Sequence, residues 1–396
     1  MSNKKYCKLI MVTADNNNKW YEMEWDGSSS SFHVKYGRIE SGAQNVTYPI
    51  GKWDSKYREK LNKGYKDVTA FVSTTVQADD KPDDVKVTSK DARVQEFLLL
   101  MKKYTDNKVS TTYSVKCDNV TQAQVDEAQR LIDALNKEKD TAVAKVNGLL
   151  VELYTVIPRK MGNVKDNILP RIDLAATLIA EQDNLDAMAS QVKMYKKNTD
   201  PKAAGKAKDL LSMLGLTMKE TKTNPEIDYL IKQCGGSGAK VHAILEVDKE
   251  AENAVFDKWM AKQKNKQTRI LIHGTRCSSV IPILKTNLQI RPSGNFQFSG
   301  KVYGDGNYFS ETVSKSLNYV GYDNDSILLV YEVHTGNPFV YDGWYKGNSF
   351  TLNYKNLAER GFDSTFVKAG GGLLNTEIIA YKEEQNRIKY IIWLKN

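Results

Sequence analysis

Three short stretches hold most of the residues that could do chemistry: HGTR at His273–Arg276, YGDGNYFSETVSKSLNY at Tyr303–Tyr319, and LLNTEIIAY at Leu373–Tyr381. Gly304 and Gly306 invite a phosphate-cradle reading, and the spacing rejects it. A Walker loop needs Lys then Ser or Thr directly after its last glycine, where this chain has Asn307 and Tyr308. A dinucleotide fingerprint needs a third small residue where Phe309 stands. Asp305, between the glycines, would repel phosphate.

The tyrosines offer a different chemistry. Ser310 is the expected N-cap of a short helix, with Glu311 in the first turn, where the helix dipole favours an acid. Ser316 and Tyr319 lie three apart and share a helical face, and Tyr308 sits just before it. The stretch can therefore present two rings and a hydroxyl to one flat, amide-bearing ligand; the alternative is that these tyrosines fill a core. Alone, His273 after the apolar run RILI reads as a structural strand histidine, and Glu377 at the head of EIIA as a solvated acid. His273 and Cys277 are four apart with no second pair, so no metal site is expected.

These residues need elements to position them. The chain has 396 residues, 41% hydrophobic and 27% charged, which suits a folded protein of two or three domains. No apolar run approaches the roughly 18 residues of a membrane span, and MSNKKYCKLIMV lacks the long apolar core of a secretory leader. Four scattered cysteines without a C-x-x-C pair suggest free thiols in a reducing compartment. A net charge of +9 permits an anionic partner, nucleic acid first.

Residues 1–75 read as a β-rich unit: KYCKLIMV, NKWYEMEW and SSFHVKYGRIES are separated by turn compositions and followed by the basic, aromatic GKWDSKYREKLNKGYKD. Residues 76–91 read as a polar linker. Residues 92–220 carry helical stripes: Val94, Phe97, Leu98, Met101; Val125, Ala128, Ile132, Leu135; Val143, Val146, Leu150, Leu153, Ile157; Leu174, Leu178, Leu185, Met188. The stripes are expected to bury one another in a bundle, and Thr121 with Gln124 forms a capping-box pattern. From residue 221 the runs VHAILEV, RILIH, SILLVYEVHTG, EIIAY and IKYIIWL predict an α+β domain with a substantial sheet.

The three chemical stretches, in this order and spacing, resemble the NAD-pocket motifs of the poly(ADP-ribose) polymerases. TQAQVDEAQRLI and LLVELYTVIPRKMG resemble segments of that family's helical regulatory domain, and FHVKYGRIESGAQ is similar to its WGR module, which senses DNA ends and nicks. The resemblance implies a WGR-like DNA-binding domain at 1–75, a linker at 76–91, a helical regulatory domain at 92–220, and an α+β ADP-ribosyltransferase catalytic domain at 221–396. Without zinc fingers, it resembles the short DNA-dependent members.

By that resemblance NAD is the substrate, with no metal, and His273, Tyr308 and Glu377 form the catalytic set. Gly274 presents its backbone to the nicotinamide amide, and Ser316 bonds the same amide. Tyr319 stacks on the ring and Tyr308 closes the pocket. His273, aided by Thr275, takes a hydroxyl of the adenosine ribose, Arg291 takes the pyrophosphate, and Lys315 lies beside Glu377. Glu377 accepts from the nicotinamide ribose and polarises the acceptor hydroxyl. DNA contact falls to Tyr36, Arg38, Lys52, Trp53, Lys56 and Tyr65, with Arg38 alternatively coupling the WGR module to the helical domain. The chain departs from the family at Tyr36, where a tryptophan is usual, at Gln289 in place of an arginine, and at Lys301 in place of an aromatic.

The implied function is a DNA-break-activated poly(ADP-ribosyl)transferase of the DNA damage response. It would act on itself and other proteins, bind DNA with 5′-phosphorylated breaks or nicks, avoid membranes and work as a monomer. Its place would be the nucleus in a eukaryotic host, otherwise the cytoplasm or nucleoid. The helical domain would block NAD until DNA loosens it. Two rivals stand beside this reading: a mono-ADP-ribosyltransferase, and a catalytically weak DNA-break scaffold.

Overall fold

Short runs of strand-forming residues build the first sheet, alternating apolar and polar in part, with Leu9–Val12 of the first strand buried on both faces. Strands β1 (Lys5–Thr13), β2 (Asn17–Trp25), β3 (Ser31–Arg38), β4 (Gln44–Pro49) and β5 (Lys66–Asp67) lie in the order β4-β3-β2-β1-β5. Leu9, Tyr21, Met23, Phe32 and Val34 point to one buried face, as the two-residue period requires. Helix α1 (Trp53–Asn62) covers that face and drives Trp53 into it. The β1–β2 turn places Asn16 at φ 70°, a conformation asparagine tolerates.

The computed structural model describes residues 4–71, 85–195, 209–222, 224–238, 240–291, 302–341, 352–370 and 373–395. The chain divides into two compact units, Met1–Pro82 with Asn107–Lys197, and Asp83–Asp106 with Asn198–Asn396. Helix α2 (Ala92–Thr112) is shared between them. Lys301, residues 196–208 (KKNTDPKAAGKAK) and most of the expected linker lie outside the described residues.

The first unit adds α3 (Gln122–Leu135), α4 (Val143–Val156) and α5 (Leu174–Tyr195) to the sheet. Thr121 and Gln124 make the reciprocal capping box. The α3 and α5 stripes are buried as expected, and so is that of α4 apart from Val143, which is exposed. Arg159 and Glu181 form a buried pair at 2.6 Å, with the guanidinium 4.1 Å from the Tyr113 ring centroid.

The second unit holds α6 (Leu210–Leu214), β6 (Thr217–Glu220), α7 (Asp228–Gly236), β7 (Lys240–Asp248), α8 (Glu250–Ala261), β8 (Thr268–Thr275), α9 (Cys277–Thr286), β9 (Asn307–Phe309), α10 (Val313–Leu317), β10 (Asp325–His334), β11 (Pro338–Tyr341), α11 (Tyr354–Ala358), β12 (Ser364–Val367), β13 (Glu377–Ala380) and β14 (Asn386–Lys395). A five-stranded sheet runs β6-β7-β14-β10-β8, and a four-stranded one β11-β12-β13-β9. Ile272 of β8 and Ser310 exchange backbone hydrogen bonds at 2.9 Å each way, tying the two sheets together. An α+β fold is thus present.

Two expectations change here. The stripe Val94, Phe97, Leu98 and Met101 was expected to face the other helices. It belongs to the second unit, where Phe97 packs on Trp393 of β14 with ring centroids 5.6 Å apart. A helical period reveals a buried face but not its partner. The boundary at 220/221 also falls just after β6, which pairs with β7 and so belongs to the five-stranded sheet.

Candidate active site

The two sheets bring the three stretches together. β13 pairs with β9 so that Ile379 faces Tyr308 and Ile378 faces Phe309. Glu377, at the head of β13, therefore lies along the same ladder as Tyr308. The turn before β9 depends on its glycines. Gly304 has φ 88°, and a Cβ there would lie 2.0 Å from the Leu352 carbonyl oxygen; at Gly306 it would lie 2.5 Å from Ile379 Cγ2. Only glycine permits both approaches. Tyr308 Oη accepts from Tyr303 N and donates to Gly304 O, both at 2.8 Å. The glycines shape the turn that delivers Tyr308.

Across from it, β8 carries His273. The ring Nδ1 lies 3.0 Å from Tyr308 O. A carbonyl can only accept, so Nδ1 carries the proton and Nε2 is left as the acceptor. Burial holds the His273 pKa below its ordinary value of 6.5. The neutral ring with this tautomer suits acceptance of a hydroxyl. Gly274 follows, and a Cβ there would lie 1.9 Å from the Ser316 carbonyl oxygen. Glycine at 274 is therefore what allows α10 to rest against β8 with Ser316 buried beside it. Thr275 is also buried.

Helix α10 differs from its expected start. Its N-cap is Thr312, because Ser310 is committed to the bridge with Ile272 and uses its Oγ to accept from Thr312 N at 3.0 Å. Glu311 is outside the helix and pairs with Arg269 at 2.8 Å. Tyr319 lies beyond the helical end, yet its N–H bonds Ser316 O at 3.1 Å, which keeps the two residues on one turn. Tyr319 leaves 44% of its surface exposed. Burial and the nearby Glu377 carboxylate raise its phenol pKa, so the ring is neutral at physiological pH.

Lys315 Nζ meets Glu377 Oε1 at 2.5 Å, with both side chains about nine-tenths buried. The ammonium compensates a carboxylate that burial would otherwise penalise. Arg291, beyond α9, is half-buried. Gln233 belongs to none of the three stretches and was not anticipated. Its amide donates to Glu311 O at 3.1 Å and accepts from Val313 N at 2.9 Å, gripping the entry to α10. Only a tertiary contact across some eighty residues reveals it. Among the described residues, no group of three or more His, Cys, Asp or Glu stands where it could hold a metal ion.

The residues expected to contact DNA sit in the first unit and are used differently. Trp53 is a core residue, 9% exposed and edge-on to Phe32 at 5.0 Å. The expectation that it contacts DNA is corrected, because its ring is enclosed. Tyr36 and Tyr65 are half-buried against the same core. Lys56 pairs with Glu59 at 2.8 Å and lies 4.8 Å from the Tyr48 ring. Arg38 donates to Asn16 O at 3.0 Å and to Gly162 O at 3.1 Å, a bond from the sheet to the segment after α4. Lys52 is exposed.

A two-sheet α+β unit that gathers a neutral histidine, a glycine-lined strand, two tyrosines and a buried lysine–glutamate pair has the make-up of an NAD-dependent ADP-ribosyltransferase. The model of the poly(ADP-ribose) polymerase catalytic domain matches residues 226–396. The chain is 57% identical over 176 residues to the poly [ADP-ribose] polymerase-like protein 100L of Invertebrate iridescent virus 6, covering 44% of this chain and 96% of that one. It is 22% identical over 474 residues to poly [ADP-ribose] polymerase 2 of Arabidopsis thaliana, covering 96% and 71%. It is also 28% identical over 224 residues to the protein mono-ADP-ribosyltransferase PARP3 of Gallus gallus, covering 54% and 40%. The chain belongs to the poly(ADP-ribose) polymerase family, and its activity is NAD+ ADP-ribosyl transfer with NAD as the substrate.

Proposed function

We propose that this enzyme is a DNA-break-activated poly(ADP-ribosyl)transferase that modifies itself and other proteins in a DNA damage response. The observation that carries the elongating activity is the buried ion pair between Lys315 of α10 and Glu377, at the head of the strand laddered to Tyr308. Breaking the bond from nicotinamide to ribose builds positive, oxocarbenium-like character at the ribose C1′, and an anionic group close by stabilises it. Glu377 accepts from the nicotinamide ribose. It also draws on the hydroxyl of the acceptor, whose oxygen bonds C1′ while nicotinamide leaves and the proton passes to the carboxylate or to solvent. Lys315, 2.5 Å from Glu377 Oε1, fixes the carboxylate in place. Tyr319 supplies a stacking face, Tyr308 the wall behind it, and Gly274 with Ser316 the clamp for the amide. His273 Nε2 accepts an adenosine ribose hydroxyl near Thr275, and Arg291 faces the pyrophosphate.

The regulatory reading rests on Arg38. Its bond to Gly162 O, with Glu40 accepting from Gly162 N at 3.1 Å, supports a role in passing the state of the WGR-like sheet to the helical segment. The DNA partner is one with 5′-phosphorylated breaks, met by the exposed Lys52 and the outer face of α1. The enzyme acts as a monomer, off the membrane, in the nucleus of a eukaryotic host or otherwise in the cytoplasm or nucleoid. The test is labelled NAD with and without 5′-phosphorylated nicked DNA, with products sized on a gel. A DNA-dependent ladder is expected. A single shifted band would assign the mono-transferase activity instead, and no product would assign the scaffold.

A further inference from the structure

Residues 286–291 lead from α9 to Arg291. The path starts in a rare conformation: Asn287 has φ 63° and ψ 178°, a region that side-chain-bearing residues seldom adopt. Its own Oδ1 accepts from Leu288 N at 2.7 Å. Three neighbours then hold the segment. Asn287 Nδ2 donates to Asn386 O at 3.5 Å. Asn307, next to Tyr308, donates to Leu288 O at 3.3 Å. Glu383 makes the strongest contact: Oε1 accepts from Ile290 N at 2.9 Å and Oε2 from Gln289 Nε2 at 3.2 Å. Hydrogen bonds to a carboxylate are roughly twice as strong as neutral ones.

Glu383 itself sits on a rigid mount. The fully buried Gln385 accepts from Tyr381 N and Lys382 N, both at 2.9 Å, and donates to Asp363 O at 2.9 Å. Asn386 Nδ2 donates to Glu383 O at 3.3 Å. Tyr381 follows directly on β13, whose first residue is Glu377. The Gln289 amide nitrogen is also taken up by Thr286 O at 2.8 Å, so its donors point back into the segment.

We propose that Glu383 is a positioning residue that sets Arg291 in register with the catalytic strand. It joins the two ends of the NAD cleft, the carboxylate end on β13 and the pyrophosphate end at Arg291, through one side chain. This rests on the reading of Arg291 given above. The contact orients substrate and takes no part in the bond-breaking step, so it governs NAD binding at the end away from nicotinamide.

The full chain is compared with its Glu383→Ala and Glu383→Gln variants by steady-state kinetics, inhibition by nicotinamide, and thermal melting. Nicotinamide fills only the amide end of the cleft. In Glu383→Ala the KM for NAD rises roughly five- to tenfold, the scale of loss when a binding group drifts by a fraction of an ångström. The kcat stays within about twofold, and the nicotinamide inhibition constant does not move. Glu383→Gln keeps an oxygen for Ile290 N and recovers most of the KM. An unchanged KM in Glu383→Ala overturns the proposal, and so does a KM that worsens together with nicotinamide inhibition and melting temperature. A wild-type chain that neither consumes NAD nor is inhibited by nicotinamide overturns the pocket reading as well. Normal wild-type kinetics with an unresponsive Glu383→Ala variant overturn the clamp alone.

Discussion

In the cleft, Tyr319 keeps 44% of its surface exposed, while Lys315 spends its charge on one buried carboxylate. In the N-terminal sheet, Trp53 keeps only 9%, and Lys56 is paired with Glu59 and lies against Tyr48. The two regions use the same residue types for opposite ends. The second unit has two sheets and a large apolar interior, so it can leave an aromatic face open and bury a charge pair at a cleft. The small N-terminal sheet has few residues with which to make a core, and its aromatics fill it. An aromatic-and-basic composition therefore means different things according to how much other core is available. Convergence from distant segments separates the cases: His273, Tyr308, Ser316 and Glu377 come from three stretches and meet, whereas Trp53, Lys56 and Tyr65 are local and serve their own unit.

The most forceful way to break this comparison is Glu377→Gln. The amide keeps the shape and removes the charge proposed to stabilise the developing cation, leaving Lys315 buried opposite a neutral group. Loss of one such electrostatic group costs roughly 10²–10³ in rate. Polymer ladders on a gel should vanish while the chain stays folded. Elongation at the wild-type rate would remove Glu377 from the mechanism and make the cleft no more special than the sheet.

Trp53→Ala tests the other side. Removing a buried aromatic from a small core costs about 3–5 kcal/mol, which should show as a large drop in the melting temperature of the first unit. If Trp53→Ala instead left melting unchanged and weakened DNA binding, the ring would be a contact surface after all.

A smaller effect concerns pH. The folded His273 pKa lies below 6.5. Above pH 6.5 the ring is neutral in both the folded and the unfolded chain, and it contributes no pH dependence. As pH falls below 6.5 the unfolded chain takes up a proton that folded His273 resists, so stability declines, and the decline levels off below the folded pKa. The Nε2 acceptor persists through the same window. The KM for NAD should therefore stay flat from about pH 8 to 6.5, on the ordinary histidine scale, and climb only in more acid solution. A climb centred at or above 6.5 would mean that the ring is not held neutral.

The three cleft stretches were legible together as a resemblance to a known family, whereas His273 or Glu377 taken alone reads as ordinary strand chemistry. Strand runs such as RILIH and IKYIIWL announced the sheet through their apolar, β-branched content. What stayed hidden required partners. The Phe97 stripe has the same helical period whether it meets another helix or Trp393. Ser310 has a capping residue's chemistry, but the bridge to Ile272 takes it first. Gln233 and Glu383 act through single contacts to backbone far away in sequence, and neither leaves a periodic trace. The expected DNA contact at Trp53 failed because a basic, aromatic helix looks alike in sequence whether its ring faces in or out.

The finest test of the comparison is Lys52→Ala. Lys52 is exposed at the head of α1, so its loss should leave melting within about 0.5 kcal/mol of wild type, as for most surface positions. If it neutralises one phosphate, the slope of log affinity for nicked DNA against log salt should fall by about 1, with no change of sequence preference. Trp53→Ala and Lys52→Ala then separate cleanly, one losing stability and the other losing salt-dependent binding. Should Lys52→Ala leave the salt slope intact, the outer face of α1 would be ordinary solvated surface. Contact with a DNA break would then have to be sought among the other cations of the first unit, with Arg38 kept to its bond with Gly162.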